Sequence, residues 1–142
     1  MKVLGYYLVA FAMMFTISVA NAATVEMLNK DANGNKMIYS EEIVRVEVGE
    51  TVTWVPTSKG HNVEWIAGPD GAELPKKSKN SKEVSMTFEV PGIYYYWCTP
   101  HKGMGMIGLV VVGGDVSNKD AIAKAKALGK SKKKLKALLG EL

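Results

Sequence analysis

The stretch Cys98-Thr-Pro-His101-Lys-Gly-Met104-Gly-Met106 gathers a thiol, an imidazole and two thioethers within nine residues. Cys98 is the sole cysteine, and His101 is one of two histidines; the other, His61, lies in a separate segment. Two imidazoles, a thiolate and a weak axial thioether make up the donor set of an electron-transfer copper site. Cys98 and His101 are close enough to bind one ion from a tight loop. Met106, five residues beyond His101, can approach along the axis, and His61 would lock a second part of the fold to the loop. Taken singly, each residue has a plainer reading: cysteine as buried filler, histidine as a structural side chain, methionine as packing. The combination points to a metal. Zinc would bind the set too, but structural zinc sites use four strong ligands, and a thioether is not one of them. Soft sulfur beside imidazole suits copper in both oxidation states. Four protein ligands leave no open position for substrate, which argues for outer-sphere electron transfer over catalysis.

Such a set needs a stiff frame. Short strand-like runs are expected at 24–28, 37–39, 43–48, 51–55, 61–66, 84–90, 93–98 and 107–112, separated by turn clusters such as Asp31–Asn35, Gly68–Gly71 and Pro91-Gly92. Val84, Met86, Phe88 and Val90 alternate with polar residues, whereas 108–112 is continuously apolar, as suits a strand with little exposure on either face. About eight strands at this spacing, without helical periodicity, predict an all-β, antiparallel Greek-key sandwich over residues 23–114. Past Gly113-Gly114 the pattern changes. Ser117–Asp120 fits a capping box opening one helix, with Ile122, Ala125 and Leu128 on its apolar side and Gly129 as its end. Ser131 fits the cap of a second helix, in which Leu135, Leu138, Leu139 and Leu142 form one stripe. Residues 115–142 are expected to be a helical extension of the same domain, packed on the sandwich.

At the other end, Met1-Lys2, the apolar run Val3–Val19 and the Ala20-Asn21-Ala22 site match a cleaved secretory signal over residues 1–22. The run is also long enough for an uncleaved anchor, but no charged stop follows it. No stable membrane insertion is expected after cleavage. The net charge of +4 is uneven: 23–114 carries nine basic and eleven acidic side chains, and 115–142 carries eight lysines and three acids. The positive total therefore resides in the tail, and no nucleic-acid role is expected from it. An exported chain with one cysteine has no internal disulfide, which leaves Cys98 for metal, reactive chemistry or packing.

Gly49–Trp54, Gly60-His61-Asn62, Pro91–His101 and Met104–Gly108 resemble the cupredoxins, and among them the pseudoazurins, over essentially the whole mature chain. The Cys-x-x-His-x-x-x-x-Met spacing is shared with plastocyanins; the two-helix tail is similar to pseudoazurins. The resemblance implies one copper ion held by His61, Cys98, His101 and Met106. It also implies a periplasmic carrier of single electrons, serving nitrite reductase or another denitrification enzyme. Asn62 is expected to tie the His61 loop to the Cys98 loop, with its N–H reaching the sulfur by family likeness. Pro100 removes an N–H close to the thiolate. Met104 and Pro100 are expected to form a small apolar docking face, with Lys59, Lys76, Lys77 and Lys102 among the lysines ringing it and steering an acidic redox partner, a nitrite reductase or a cytochrome c-type donor or acceptor. A monomer is expected. Two other classes compete. A copper-delivery protein would need exposed Met/His clusters, which are missing, and a lysine-rich nucleic-acid or membrane binder would leave the ligand set unexplained.

Overall fold

The computed structural model describes residues 22–142; the expected signal segment falls, but for its last residue, outside the described residues. Among the described residues, eight strands form two four-stranded sheets. The first, ordered β2-β1-β4-β6, uses β1 (Ala23–Lys30), β2 (Lys36–Tyr39), β4 (Thr51–Val55) and β6 (Val84–Thr87). The second, ordered β3-β8-β7-β5, uses β3 (Ile43–Val46), β5 (Glu64–Ala67), β7 (Gly92–Trp97) and β8 (Ile107–Val112). A 3₁₀ turn, Thr99–Met104, joins β7 to β8, and the helices α1 (Lys119–Ala123) and α2 (Ser131–Gly140) follow. Among the described residues no helix is long and apolar enough to cross a membrane.

The sandwich and its two C-terminal helices match expectation, with one refinement. Four strand pairs are antiparallel, but β1 pairs parallel with β4 and β3 parallel with β8, so both sheets are mixed. The chain crosses repeatedly between the sheets, so a strand can return beside one running the same way. A period-two pattern reports which face is buried, not the direction of the neighbour.

Two cores flank the second sheet. On one side Tyr94, Tyr96, Val110 and Val112 meet Val25, Met27, Val52, Trp54 and Phe88 of the first sheet. On the other, Ile93, Tyr95, Trp97, Ile107, Leu109 and Val111 meet Ile122, Leu135, Leu138 and Leu139 of the helices. The central pair β7 and β8 is thus buried on both faces, which explains why its residues are almost uninterruptedly apolar. Gly108 is required here: any Cβ would overlap the ring and hydroxyl of Tyr96. Six antiparallel Cα partners, from Gly92–Val112 to Trp97–Ile107, run up to the 3₁₀ turn, so the metal-type loop caps the stiffest part of the molecule.

The tail departs from expectation locally. α1 is only five residues long and does not run to Leu128. The capping box is not formed: the Ser117 N–H donates to Asp115 Oδ1, and the Asn118 side chain leaves its helix. Its Oδ1 accepts from the Ile93 N–H at 2.9 Å and its Nδ2 donates to the Ile93 carbonyl at 2.8 Å. Asn118 clamps the tail to β7 instead of capping.

Candidate metal centre

β7 delivers Cys98 at its end, and the backbone there turns back on itself. The Cys98 N–H donates to the Met106 carbonyl at 2.9 Å, and the His101 N–H to the Cys98 carbonyl at 3.0 Å. Pro100, at the start of the 3₁₀ turn, supplies the required φ, and Gly105 closes it in the left-handed region at φ 94°. On the facing loop Gly60, at φ 89°, turns the chain into His61. His61 and Asn62 lie ahead of β5, not within it as the sequence reading placed them; β5 begins at Glu64 because the loop is held by other bonds. The Ser81 N–H donates to the His61 carbonyl, the Gly60 N–H to Ser81 Oγ, and the Val63 N–H to Ser78 Oγ.

The donor atoms of His61, Cys98 and His101 all lie within 4.8 Å of one another. The two Nδ1 atoms are 3.1 Å apart, and the Cys98 Sγ is 3.7 Å from that of His61 and 3.3 Å from that of His101. An ion about 2.0 Å from each nitrogen and about 2.3 Å from the sulfur, at near-tetrahedral angles, requires separations of roughly 3.2 and 3.6 Å. The cluster fits a single ion without rearrangement. Met106 is fully buried at the far end of the loop, in the same core as Cys98.

The surroundings prepare these atoms to bind a cation. Asn29 Oδ1 lies 2.8 Å from His61 Nε2. A carboxamide oxygen can only accept, so the proton sits on Nε2 and Nδ1 presents its lone pair. Burial pushes both imidazoles below their ordinary value, with the His101 charge adding to the effect at His61, so both are neutral donors near pH 7. Burial pushes the Cys98 thiol up; N–H groups of Asn62 and His101 aimed at the sulfur offset part of that. A thiol held protonated in this way would lose its proton to solvent as its sulfur bonds a metal ion.

Asn62 hydrogen-bonds from the His61 loop to the turn after Cys98. Its Oδ1 accepts from the Thr99 N–H at 2.7 Å, its Nδ2 donates to Thr99 Oγ1 at 3.0 Å, and its carbonyl accepts from the Tyr39 hydroxyl at 2.7 Å. Sequence reasoning missed Asn29 and Glu64. Glu64 Oε2 accepts from both Thr99 Oγ1 and Trp97 Nε1 at 2.6 Å. Burial pushes its carboxyl up, but these bonds, with Lys102 and Lys77 nearby, outweigh that and hold it below its ordinary value. Neither residue carried a local signal, because each finds its partner more than thirty positions away in sequence, Glu64 on the neighbouring strand and Asn29 on the His61 loop.

Around the cluster, His61 is buried and His101 only half-buried; Met104 is 49% exposed, and Pro100 and Gly103 are open to solvent. Lys77 and Lys79 line a groove with Asn62, Thr99 and Pro100. Lys102 lies 5.1 Å above the Trp97 ring. Lys59 and Lys76 are exposed, Lys59 two residues before His61.

Residues 25–113 match the model of the copper-binding proteins of the plastocyanin/azurin family. The chain belongs to this family, the cupredoxins. Its relatives within it include pseudoazurins. It is 41% identical to the pseudoazurin of Paracoccus pantotrophus over 137 residues, covering 94% of this chain and 93% of the relative. The solved pseudoazurin from Hyphomicrobium denitrificans superposes with a TM-score of 0.78 at 42% identity, covering 86% of this chain and 98% of that one. The pseudoazurin from Methylobacterium extorquens AM1 gives a TM-score of 0.77 at 36% identity, with 85% and 98% covered. The cupredoxin described here is a blue copper electron-transfer protein, with one copper ion as its cofactor.

Proposed function

We propose that this cupredoxin is a periplasmic carrier that moves single electrons between a cytochrome c-type donor and a nitrite reductase or related denitrification enzyme. In this reading residues 1–22 are removed on export, and the mature chain acts as a monomer. His61, Cys98, His101 and Met106 hold the copper. The observation that carries the reading is the convergence of two Nδ1 atoms and one Sγ within 4.8 Å at the capped end of a rigid sheet.

Copper supplies the one-electron couple when bound. The chain's own residues do the rest. Asn29 fixes the His61 ring, the Asn62 amide holds the two loops in register, and the antiparallel ladder of β7 and β8 resists movement of Cys98 relative to Met106. A donor set held this firmly changes little between oxidation states, which keeps reorganisation small. His101, the more exposed imidazole, is the edge through which electrons pass. The apolar surface of Met104 and Pro100 gives a small, quickly dissociating contact, as suits a transient redox encounter. Lys59, Lys76, Lys77 and Lys102 steer an acidic partner towards it.

The test is electron transfer to a purified copper-type nitrite reductase, followed by stopped flow across a series of salt concentrations. Rates should fall steeply as salt screens the lysines, and Lys77→Glu should slow transfer most at low salt. Rates indifferent to salt would contradict the steering, and no transfer under any condition would contradict the assigned partner.

A further inference from the structure

The tail reaches the metal loop at one place, and the contacts there are more specific than packing requires. Ser131 is fully buried at the first turn of α2. It does not cap that helix; its hydroxyl donates to the Lys102 carbonyl, next to His101. One residue earlier, the Lys130 N–H donates to the Gly103 carbonyl at 3.0 Å. Gly129 adopts φ 55°, and a Cβ there would stand 2.5 Å from the same Gly103 oxygen. The Lys130 side chain closes over Gly105, and Lys134 pairs with Glu42 to hold the helix against the neighbouring loop. Two consecutive carbonyls of the short turn between His101 and Met106 are thus captured by two consecutive residues of the tail.

We infer that Gly129–Ser131 is a clasp that sets the conformation of the loop carrying His101 and Met106, with Ser131 and Gly129 as positioning residues for the copper centre. At the C-terminal end of the turn the closing bonds are long, 3.4 Å from the Gly105 N–H to the Lys102 carbonyl and 3.3 Å from the Met106 N–H to the His101 carbonyl. A part-exposed turn closed by such long bonds is held in one shape more firmly when external partners take its carbonyls. The tail therefore contributes to the redox properties as well as to stability. This rests on the copper reading of the site.

The experiment compares Ser131→Ala and Gly129→Ala with Leu139→Ala, all in the full copper-loaded chain. Leu139 lies in the core between α2 and the sheet, about two turns along the helix from Ser131. Ser131→Ala removes the hydroxyl bond, and Gly129→Ala pushes against Gly103. Each should move the charge-transfer bands in the visible spectrum. Each should also raise the potential, because a loosened loop favours Cu(I), which demands fewer ligands; the Cu(I)/Cu(II) ratio at a fixed applied potential should rise about two-fold or more, within the roughly five-fold worth of one ordinary hydrogen bond. The Lys130 amide should exchange about five-fold faster in Ser131→Ala, measured in the diamagnetic Cu(I) form. Leu139→Ala should lose more stability while leaving bands and potential in place. If Ser131→Ala keeps the parent's spectrum and potential, or Leu139→Ala shifts them as far, the clasp is overturned. If the parent chain fails to colour with copper, the site reading fails instead, and Lys130 amide exchange in the metal-free chain still decides whether the tail holds the loop.

Discussion

Pro100 follows Cys98 by two residues, and Asn29 bonds His61. The Cys98 sulfur already faces N–H groups from Asn62 and His101. Pro100 has no N–H to offer, and in the proposed role of this position a donor there would draw electron density from the thiolate and favour Cu(I). Pro100→Ala should therefore raise the reduction potential, measured by protein-film voltammetry; an unchanged or lower value would contradict the argument. Asn29 fixes the tautomer of His61 through one bond. Asn29→Leu should weaken copper affinity about 10- to 100-fold, the usual cost of losing such an orienting partner, as read by competition with a chelator. Much at this scale was legible in the sequence, because Cys98, His101 and Met106 share one short loop and Asn62 adjoins His61. Asn29 was not, since it sits 32 residues before His61 and meets it only once β1 pairs with β4.

Between single residues and the whole chain stand β5, β7 and the turn that leaves β7. Glu64 of β5 ties them together, accepting from Trp97 and Thr99 while Lys77 and Lys102 lie nearby. Its carboxyl is held below its ordinary value of 4.5, so the unfolded chain takes up its proton first as pH falls. The stability this group contributes is thus fully present above about pH 4.5 and drains away as pH drops through the lower folded value. Glu64→Gln should flatten that part of the acid limb in denaturation curves; an unaltered acid limb would show that Glu64 is not the group responsible. Strand positions were legible from alternation and turn residues. The β3–β8 and β1–β4 directions were not, because side-chain period is blind to polarity. The tail's caps differ from expectation for a similar reason. Ser131, expected as a cap, satisfies a carbonyl of the metal loop, the capping box expected from Ser117 is not formed, and Asn118 within it reaches a carbonyl of β7; local spacing cannot distinguish a cap from such a tether.

Across the molecule, charge and layering divide the labour. The sandwich from 23 to 114 is mildly acidic and the tail strongly basic, while the second sheet, buried on both faces, forms the rigid spine between them. The unbroken apolar run of β8 signalled double burial in the sequence; that the helices supply the second face was expected, and that they also grip the loop was not. Every level depends on two imidazoles, a thiolate and a thioether meeting at one capped end of that spine. The most direct measurement is a titration of the metal-free protein with Cu(II), followed by visible absorption. The account predicts an intense thiolate-to-copper band, blue shading to green, that saturates at one equivalent and vanishes in Cys98→Ser. A solution that stays colourless, or a band that persists without the thiolate, would contradict it.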